Sequence, residues 1–372
     1  MIGLRVAPRR IGPRRACRVA ALLVLIVSGC QTASYYQQAI TGQLQILSQR
    51  RPLGSLIADT NTPATLRKKL ELVLRLRAFA ERELKLPVDG HYERYVDVHR
   101  RFVVWDVQAA PEFSLRPKKW WYPIVGRLSY RGYFSEAMAQ RYAAKLEKQG
   151  LDVYVGGVEA YSTLGWFKDP VLNTFINNDE ADLAETLFHE LAHQKLFFAG
   201  DTEFDEAFAT AVAEEGTRRW LANAMNTSAL ENYEEGRKRH EQFVRLVMEA
   251  RAQLKKAYGE EDKESRPHSA ALPTDSEKRR RKQDVLAKLH RDYEALKTQW
   301  AGKSEYDGWF AKPINNARLN TIATYYDLVS GFQRLLESNG GELEKFYREV
   351  QALKKIPKET RHELLRALGG KF

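Results

Sequence analysis

The sequence predicts an α+β protein in which a strand-bearing section precedes a longer helical one. Three observations predict it. β-branched and aromatic residues alternate in part over 96–107 and 151–155, the period of strands. Apolar residues recur at helical spacing over 65–86, 227–257 and 277–299. The last two of these patterns flank Gly259 to Asp275, a stretch rich in Pro, Ser and charge with no period, as expected of a flexible tip joining the arms of a helical hairpin. The composition, 44% hydrophobic and 29% charged over 372 residues, is that of a globular chain.

From the N terminus, Arg5, Arg9, Arg10, Arg14, Arg15 and Arg18 form a cationic region ahead of an apolar run, Val19 to Val27. That run is too short to span a bilayer as a mature helix and reads as a leader over 1–29. Val27-Ser28-Gly29-Cys30 resembles a bacterial lipobox, in which Cys30 receives lipid and becomes the mature N terminus. An ordinary signal peptide followed by an incidental cysteine is the alternative. Gln31 stands where an aspartate would retain the protein in the inner membrane, so the outer membrane is favoured, with the protein facing the periplasm. Six of the eleven net positive charges lie on the leader arginines. The modest remainder suits a surface near anionic lipid and gives no argument for nucleic acid. The only cysteines are Cys17 and Cys30, so the mature fold rests on its core without a disulfide.

Residues 30–62 are expected to be a tether, with a possible helix over 39–47. A single domain then runs over 63–372. It opens with the helix at 65–86, set between Pro63 and Pro87. Strands follow over 96–107 and 151–155, with a helix at 135–149 between them and a further strand at 172–176. Asn178 or Asp179 caps a helix that runs to about Phe198, with Asp182 at the capping-box spacing. Another begins near Phe204 and passes Trp220. The helical hairpin, at about 227–300, reads as an insertion. The basic run Lys278 to Lys282 is expected to be a solvated helix face.

The helix before Gly200 carries His189, Glu190 and His193 in the order His-Glu-Leu-Ala-His. Its histidines lie four apart, so both rings stand on one helix face and can share one Zn²⁺ through nitrogen. Leu183, Leu187 and Leu191 form an apolar ridge beside Ala184, Phe188 and Ala192, while Glu185, His189 and His193 form a separate stripe. Glu190 is placed to take a proton from water and return it to a leaving amine. Catalytic zinc usually has three protein ligands. No third histidine follows at the expected spacing, where Leu196 and Ala199 stand. The candidates are therefore Glu203, Asp205, Glu206, Glu214 and Glu215 on the next helix. Glu206 is preferred, because the alanines beside it allow two helices to pack closely. Asp205 or Glu214 could instead orient the histidines.

The HELAH motif followed by Phe204-Asp205-Glu206-Ala207-Phe208-Ala209 resembles the gluzincin metallopeptidases, in particular their zinc aminopeptidases. Twelve residues separate His193 from Glu206, a shorter interval than those enzymes usually have. The lipobox, YRGYF at 130–134, YSTLGWFKDP at 161–170, HELAHQ and NNARL at 315–319 resemble a family of bacterial lipoproteins labelled as aminopeptidases. The resemblance implies a gluzincin-like core and hydrolysis of peptide bonds in the cell envelope. Gly156-Gly157-Val158-Glu159-Ala160 is similar to the aminopeptidase segment whose glutamate binds the free amine of the substrate, so Glu159 is a candidate substrate-binding residue. An exposed loop glutamate is the other reading. A donor to the developing oxyanion is also required. Tyr325 and Tyr326 are candidates for it, and Tyr161 is a further candidate in the substrate site. Asn315 and Asn316 either shape the cleft or cap the helix that begins there. The expected activity is that of a zinc aminopeptidase. The alternatives are an endopeptidase acting on envelope proteins or peptidoglycan peptides, and a non-catalytic metal-binding scaffold.

Overall fold

A computed structural model describes residues 32–122, 126–163, 167–225, 227–260 and 273–370. The leader, Cys30 and most of the expected hairpin tip lie outside the described residues. The chain divides into two compact units, the first ending at Ser48 and the second running from Gln49 onward. In the first, residues 32–48 form helix α1, in the segment expected to be a tether. The second unit opens with strand β1 (Arg51–Pro52) and helix α2 (Leu53–Ala58), which buries Leu53 and Leu56. Residues 51–58 are thus built into the folded unit.

Helix α3 (Ala64–Arg82) buries Leu70, Val73, Leu76 and Phe79 on one stripe. It stops short of the expected Leu86, because Lys85 adopts a φ of 56° in a turn that carries Leu84 and Leu86 into the core. The region expected as strand over 96–107 holds parts of two strands with a turn between them. Strand β2 (Arg94–Val96) pairs antiparallel with β1 and parallel with β8 (Val171–Leu172). Strand β3 (Val104–Pro111) lies in a second sheet. Between β2 and β3, His99 takes a φ of 51°. Arg100 donates to the Phe134 and Val103 carbonyls, both at 2.7 Å, which fixes the turn. The strand expected at 172–176 ends at Leu172, whose carbonyl accepts from the N–H groups of Phe175 and Ile176.

In the second sheet β3 is central. It pairs antiparallel with β6 (Arg131–Tyr133) and with β7 (Leu151–Val158). Strands β4 (Trp120–Tyr122) and β5 (Gly126–Leu128) form a separate antiparallel pair. Helix α4 (Glu136–Glu147), capped by the Ser135 side chain, lays Ala139, Ala143 and Leu146 on β3 and β7.

The helical section contains α5 (Glu180–Lys195), α6 (Thr202–Asn223), α7 (Thr227–Tyr258), α8 (Asp275–Gln299), the short α9 (Asp307–Phe310), α10 (Asn316–Tyr326), α11 (Val329–Ser338), α12 (Leu343–Ala352) and α13 (Lys358–Gly369). Helix α6 is buried almost all round and packs against α5, α10, α11 and α7. Its alanines and Gly216 make this possible. A Cβ at position 216 would stand 2.7 Å from Leu84 Cδ1, just beyond α3, and 2.9 Å from Phe188 Cδ2 on α5, so any larger residue must displace those side chains.

Helices α7 and α8 form the expected hairpin, joined by a core that includes Phe243, Val247, Leu254, Leu289 and Tyr293. The basic run departs from expectation at Lys282, which is buried and donates to Asp152 Oδ2 at 2.6 Å and to the Glu112 carbonyl at 3.0 Å. Arg279 pairs with Glu112. Asn316 completes this joint. Its Nδ2 lies 3.0–3.1 Å from the Pro111, Glu112 and Ser114 carbonyls, and its Oδ1 accepts from the Tyr258 hydroxyl at 2.9 Å. Asn315 caps α10 by accepting from the Arg318 N–H at 3.0 Å. NNARL therefore ties sheet, hairpin and α10 together. No described helix is long and apolar enough to cross a membrane.

Candidate metal centre

Helix α5 begins where Asp179 accepts from the Asp182 N–H at 2.9 Å. Its apolar face, Leu183, Ala184, Leu187, Phe188, Leu191 and Ala192, is fully buried. This anchors the helix and leaves His189 and His193 on the opposite stripe. The helix ends at Lys195, three residues before the expected Phe198. There the chain turns extended at Leu196, Phe198 stacks on Phe204 at 4.5 Å, and the Phe198 N–H donates to Asp205 Oδ1 at 2.8 Å. Gly200, at a φ of 86°, completes the reversal. The first turns of α6 are thereby laid against the end of α5.

Glu206 faces the two histidines across this interface. His189 Nε2 lies 3.2 Å from Glu206 Oε2, His193 Nε2 lies 3.5 Å from the same oxygen, and the two Nε2 atoms are 3.2 Å apart. Zinc bonds of about 2.0–2.1 Å in tetrahedral geometry place neighbouring ligand atoms about 3.3–3.4 Å apart. The triangle fits a small cation at its centre, and two imidazoles with a carboxylate are a donor set suited to zinc. The other acids considered are engaged elsewhere. Glu203 pairs with Lys358 at 2.7 Å, Asp205 holds the Phe198 N–H, Glu214 pairs with Arg237, and Glu215 pairs with Arg218 and Arg219. Neither Asp205 nor Glu214 hydrogen-bonds a site histidine. A second convergent set, Asp201, Glu203 and His362, is already filled by protein cations. Lys358 lies 2.7 Å from Asp201, and Arg361 and His362 bond the same carboxylate.

Burial and mutual charge set the electrostatics of the site. Burial pushes His189 downward. Burial also acts against the charged form of His193, yet the Glu206 carboxylate prevails and raises it to about 9. Glu206 is held well below the usual carboxylate range although burial opposes this, because both histidines face it. Burial pushes Glu190 up to about 8, with His193 acting against the rise and Glu206 and Asp169 adding to it. Glu190 is 8% exposed, and its Oε2 has no hydrogen-bond partner among the described residues. A dication at the centre of the triangle inverts this local logic and favours the ionised carboxylates.

A cleft of about 370 Å³ opens beside the triangle, with Glu159, His189, Glu190, Tyr325 and Tyr326 among its walls. Glu159 follows the last residue of β7, and its Oε2 accepts from Asn178 Nδ2 at 3.1 Å. The two adjacent tyrosines diverge. Tyr325 lies 6.2 Å from the His189 ring, and its hydroxyl is pushed far up, first by the Glu206 charge and then by burial. Tyr326 lies 4.5 Å from the His240 ring on α7. Tyr161, expected in the substrate site, packs edge-on against Phe134 at 6.0 Å and is not among the cleft walls. The strand ends before it, and Phe134 takes up its ring. Gln194 of HELAHQ donates to Ser162 and lies 3.5 Å from Asp169, tying both to the end of α5.

Sequence reasoning missed Tyr130. Its hydroxyl is pushed up by burial and then by the charges of Glu206, Asp106, Glu190 and Asp205. It is the first residue of YRGYF, but no spacing rule links that segment to α5. Asp106 on β3, pushed up to about 7 by burial and by Glu206, was equally hidden.

Fold and site together define a HExxH centre completed by a glutamate of the following helix. A family model described as "Putative aminopeptidase" matches residues 34–365, and the chain belongs to that family. No curated protein and no solved structure matches the chain.

Proposed function

We propose that this protein is a zinc-dependent peptidase of gluzincin-like arrangement that removes residues from the free N terminus of peptides. The observation that carries the reading is the convergence of His189, His193 and Glu206 on one point, with the unpartnered Glu190 carboxylate beside it in an open cleft. The family description supports the same class of activity. His189, His193 and Glu206 hold the metal. Bound Zn²⁺ supplies a Lewis acid that polarises the scissile carbonyl and acidifies water. Glu190 takes the proton of the attacking water and passes it to the leaving amine. The Tyr325 hydroxyl donates to the carbonyl oxygen as negative charge develops there. Glu159 receives the substrate ammonium in a charge-assisted hydrogen bond and sets the first peptide bond at the metal. The lipobox ending at Cys30 supports a lipid-anchored protein on the periplasmic side of the envelope, at the outer membrane.

The test compares one peptide with a free and with an acetylated N terminus. The free form is expected to be cleaved at least about tenfold better in kcat/KM, the scale of one charge-assisted hydrogen bond. Glu159→Ala is expected to raise KM for the free form and leave metal content unchanged. Equal cleavage of both forms by the wild type, or cleavage at internal bonds alone, removes the exopeptidase assignment and leaves an endopeptidase.

A further inference from the structure

Asp182, Glu185 and Tyr326 line the cleft beside Glu190, and the same three residues line a second cavity of about 560 Å³ between α5 and α7. The polar stripe of α5 contributes to the walls of both cavities. Glu185 stands one turn before His189 and Asp182 about one more turn back, some 6 and 10 Å along the axis.

Acidic groups outnumber cations in the walls, although the Arg237 charge also acts on Glu185. Of the two arginines in the second cavity, Arg237 is paired with Glu214, and Arg239 is paired with Glu305 at 2.8 Å. Asp179, Asp182 and Glu185, with Glu159 in the adjoining cleft, form no ion pair with a described lysine or arginine. Asp179 is used as the cap of α5. Glu185 accepts only from the neutral Tyr233 hydroxyl at 2.7 Å. Lys69 donates to the Asn178 carbonyl and is not among the walls. Glu190, nine-tenths buried and unpartnered at Oε2, lines the cleft with Glu159. Carboxylates and an aromatic ring in the wall of one cleft are the groups that recognise an ammonium or guanidinium.

Building on the peptidase reading above, we infer that the preferred substrate carries a basic N-terminal residue, whose side-chain cation lies in this groove between Asp182 and Glu185 against the Tyr326 ring. The ring gives Tyr326 a part in specificity, while Tyr325 serves the reacting carbonyl.

The test has a binding arm that needs no turnover. Calorimetry on the purified full chain compares agmatine, an amine with a guanidinium and no scissile bond, with n-hexylamine. Agmatine is expected to bind at least about tenfold more tightly, the scale of one charge-assisted hydrogen bond. The double variant Asp182→Asn with Glu185→Gln, whose new side-chain amide on α5 can still accept from Tyr233, is expected to bring the two amines within about twofold of each other. In the activity arm the wild type is expected to favour arginine p-nitroanilide over the norleucine compound. Equal binding of the two amines by the wild type overturns the inference whatever the variant does, and so does a preference that survives in a folded double variant. Turnover without an agmatine preference sinks this inference and leaves the peptidase reading standing. An agmatine preference without turnover of any peptide supports the cationic groove and overturns the peptidase reading instead.

Discussion

Glu206 Oε2 lies 3.2 Å from His189 Nε2, although the two residues sit on different helices with a six-residue reversal between them. The contact depends on α6 being made of small residues on its α5 side and on the turn at Gly200. It also gathers two imidazoles and a carboxylate at one buried point, a donor set that a dication would hold together.

Metal binding should therefore stabilise the fold. The purified chain is expected to hold about one zinc, in keeping with one three-residue site. Free zinc at a hundredfold its dissociation constant adds about 2.7 kcal/mol, a rise of several degrees in unfolding midpoint. His189→Ala, His193→Ala and Glu206→Ala should each lose both the metal and the rise. Elemental analysis with and without chelator, followed by thermal unfolding, checks this, and full zinc retention by all three variants would refute the assignment.

Glu190→Gln preserves size and helix and removes the base. Zinc content should stay near that of the wild type, and kcat should fall by at least about a hundredfold. The comparison of metal content with turnover separates a catalytic site from a structural one, since a purely structural centre has no use for Glu190.

The divergence of Tyr325 and Tyr326 separates their variants. Tyr325→Phe removes the hydroxyl on the histidine side and is expected to lower kcat by about a hundredfold or more with little change in KM. Tyr326→Phe keeps the ring that faces His240 and should leave kcat within about threefold, an effect below 1 kcal/mol. Steady-state kinetics on both variants decide it, and equal losses in the two would remove the distinction.

A pH effect on stability is expected at Asp201, which leads into α6 and holds α13. Burial acts against its charge, but hydrogen bonds from His362 and Lys358 keep the carboxyl well below the usual range. A carboxyl lowered on folding stabilises fully above its unfolded pKa, about 3.9, and loses that contribution as pH falls further toward the folded value. Asp201→Asn leaves Arg361 and His362 without their anion and should cost about 3–5 kcal/mol near neutral pH. Denaturant unfolding of both proteins from pH 7 to pH 3 should show the gap narrowing only below about pH 4. A gap that is constant across this range would show that the ion pairs do not stabilise.

Some of this was written locally in the chain. The histidine pair depends only on the helical period, so its shared stripe follows from four-residue spacing once α5 forms, with Glu190 beside it. The cap at Asp179 and both hairpin arms follow from equally local rules. Strand limits were less legible. His99 and Lys85 take left-handed backbone that no apolar pattern reports, and the turns they make depend on groups elsewhere, such as the Phe134 carbonyl that receives Arg100.

By itself the sequence determined the α+β order, the HELAH helix and a short set of acids from which a third ligand could come. Only the tertiary structure decided among those acids, because Glu203, Glu214 and Glu215 are taken by cations on other elements and Asp205 by a backbone N–H. It likewise turned Tyr325 toward His189 and Tyr326 toward α7, and set Tyr161 against Phe134. Local periodicity specifies which face of a helix a residue occupies. What that face meets is set by packing between elements far apart in the chain, and no spacing along the sequence encodes it.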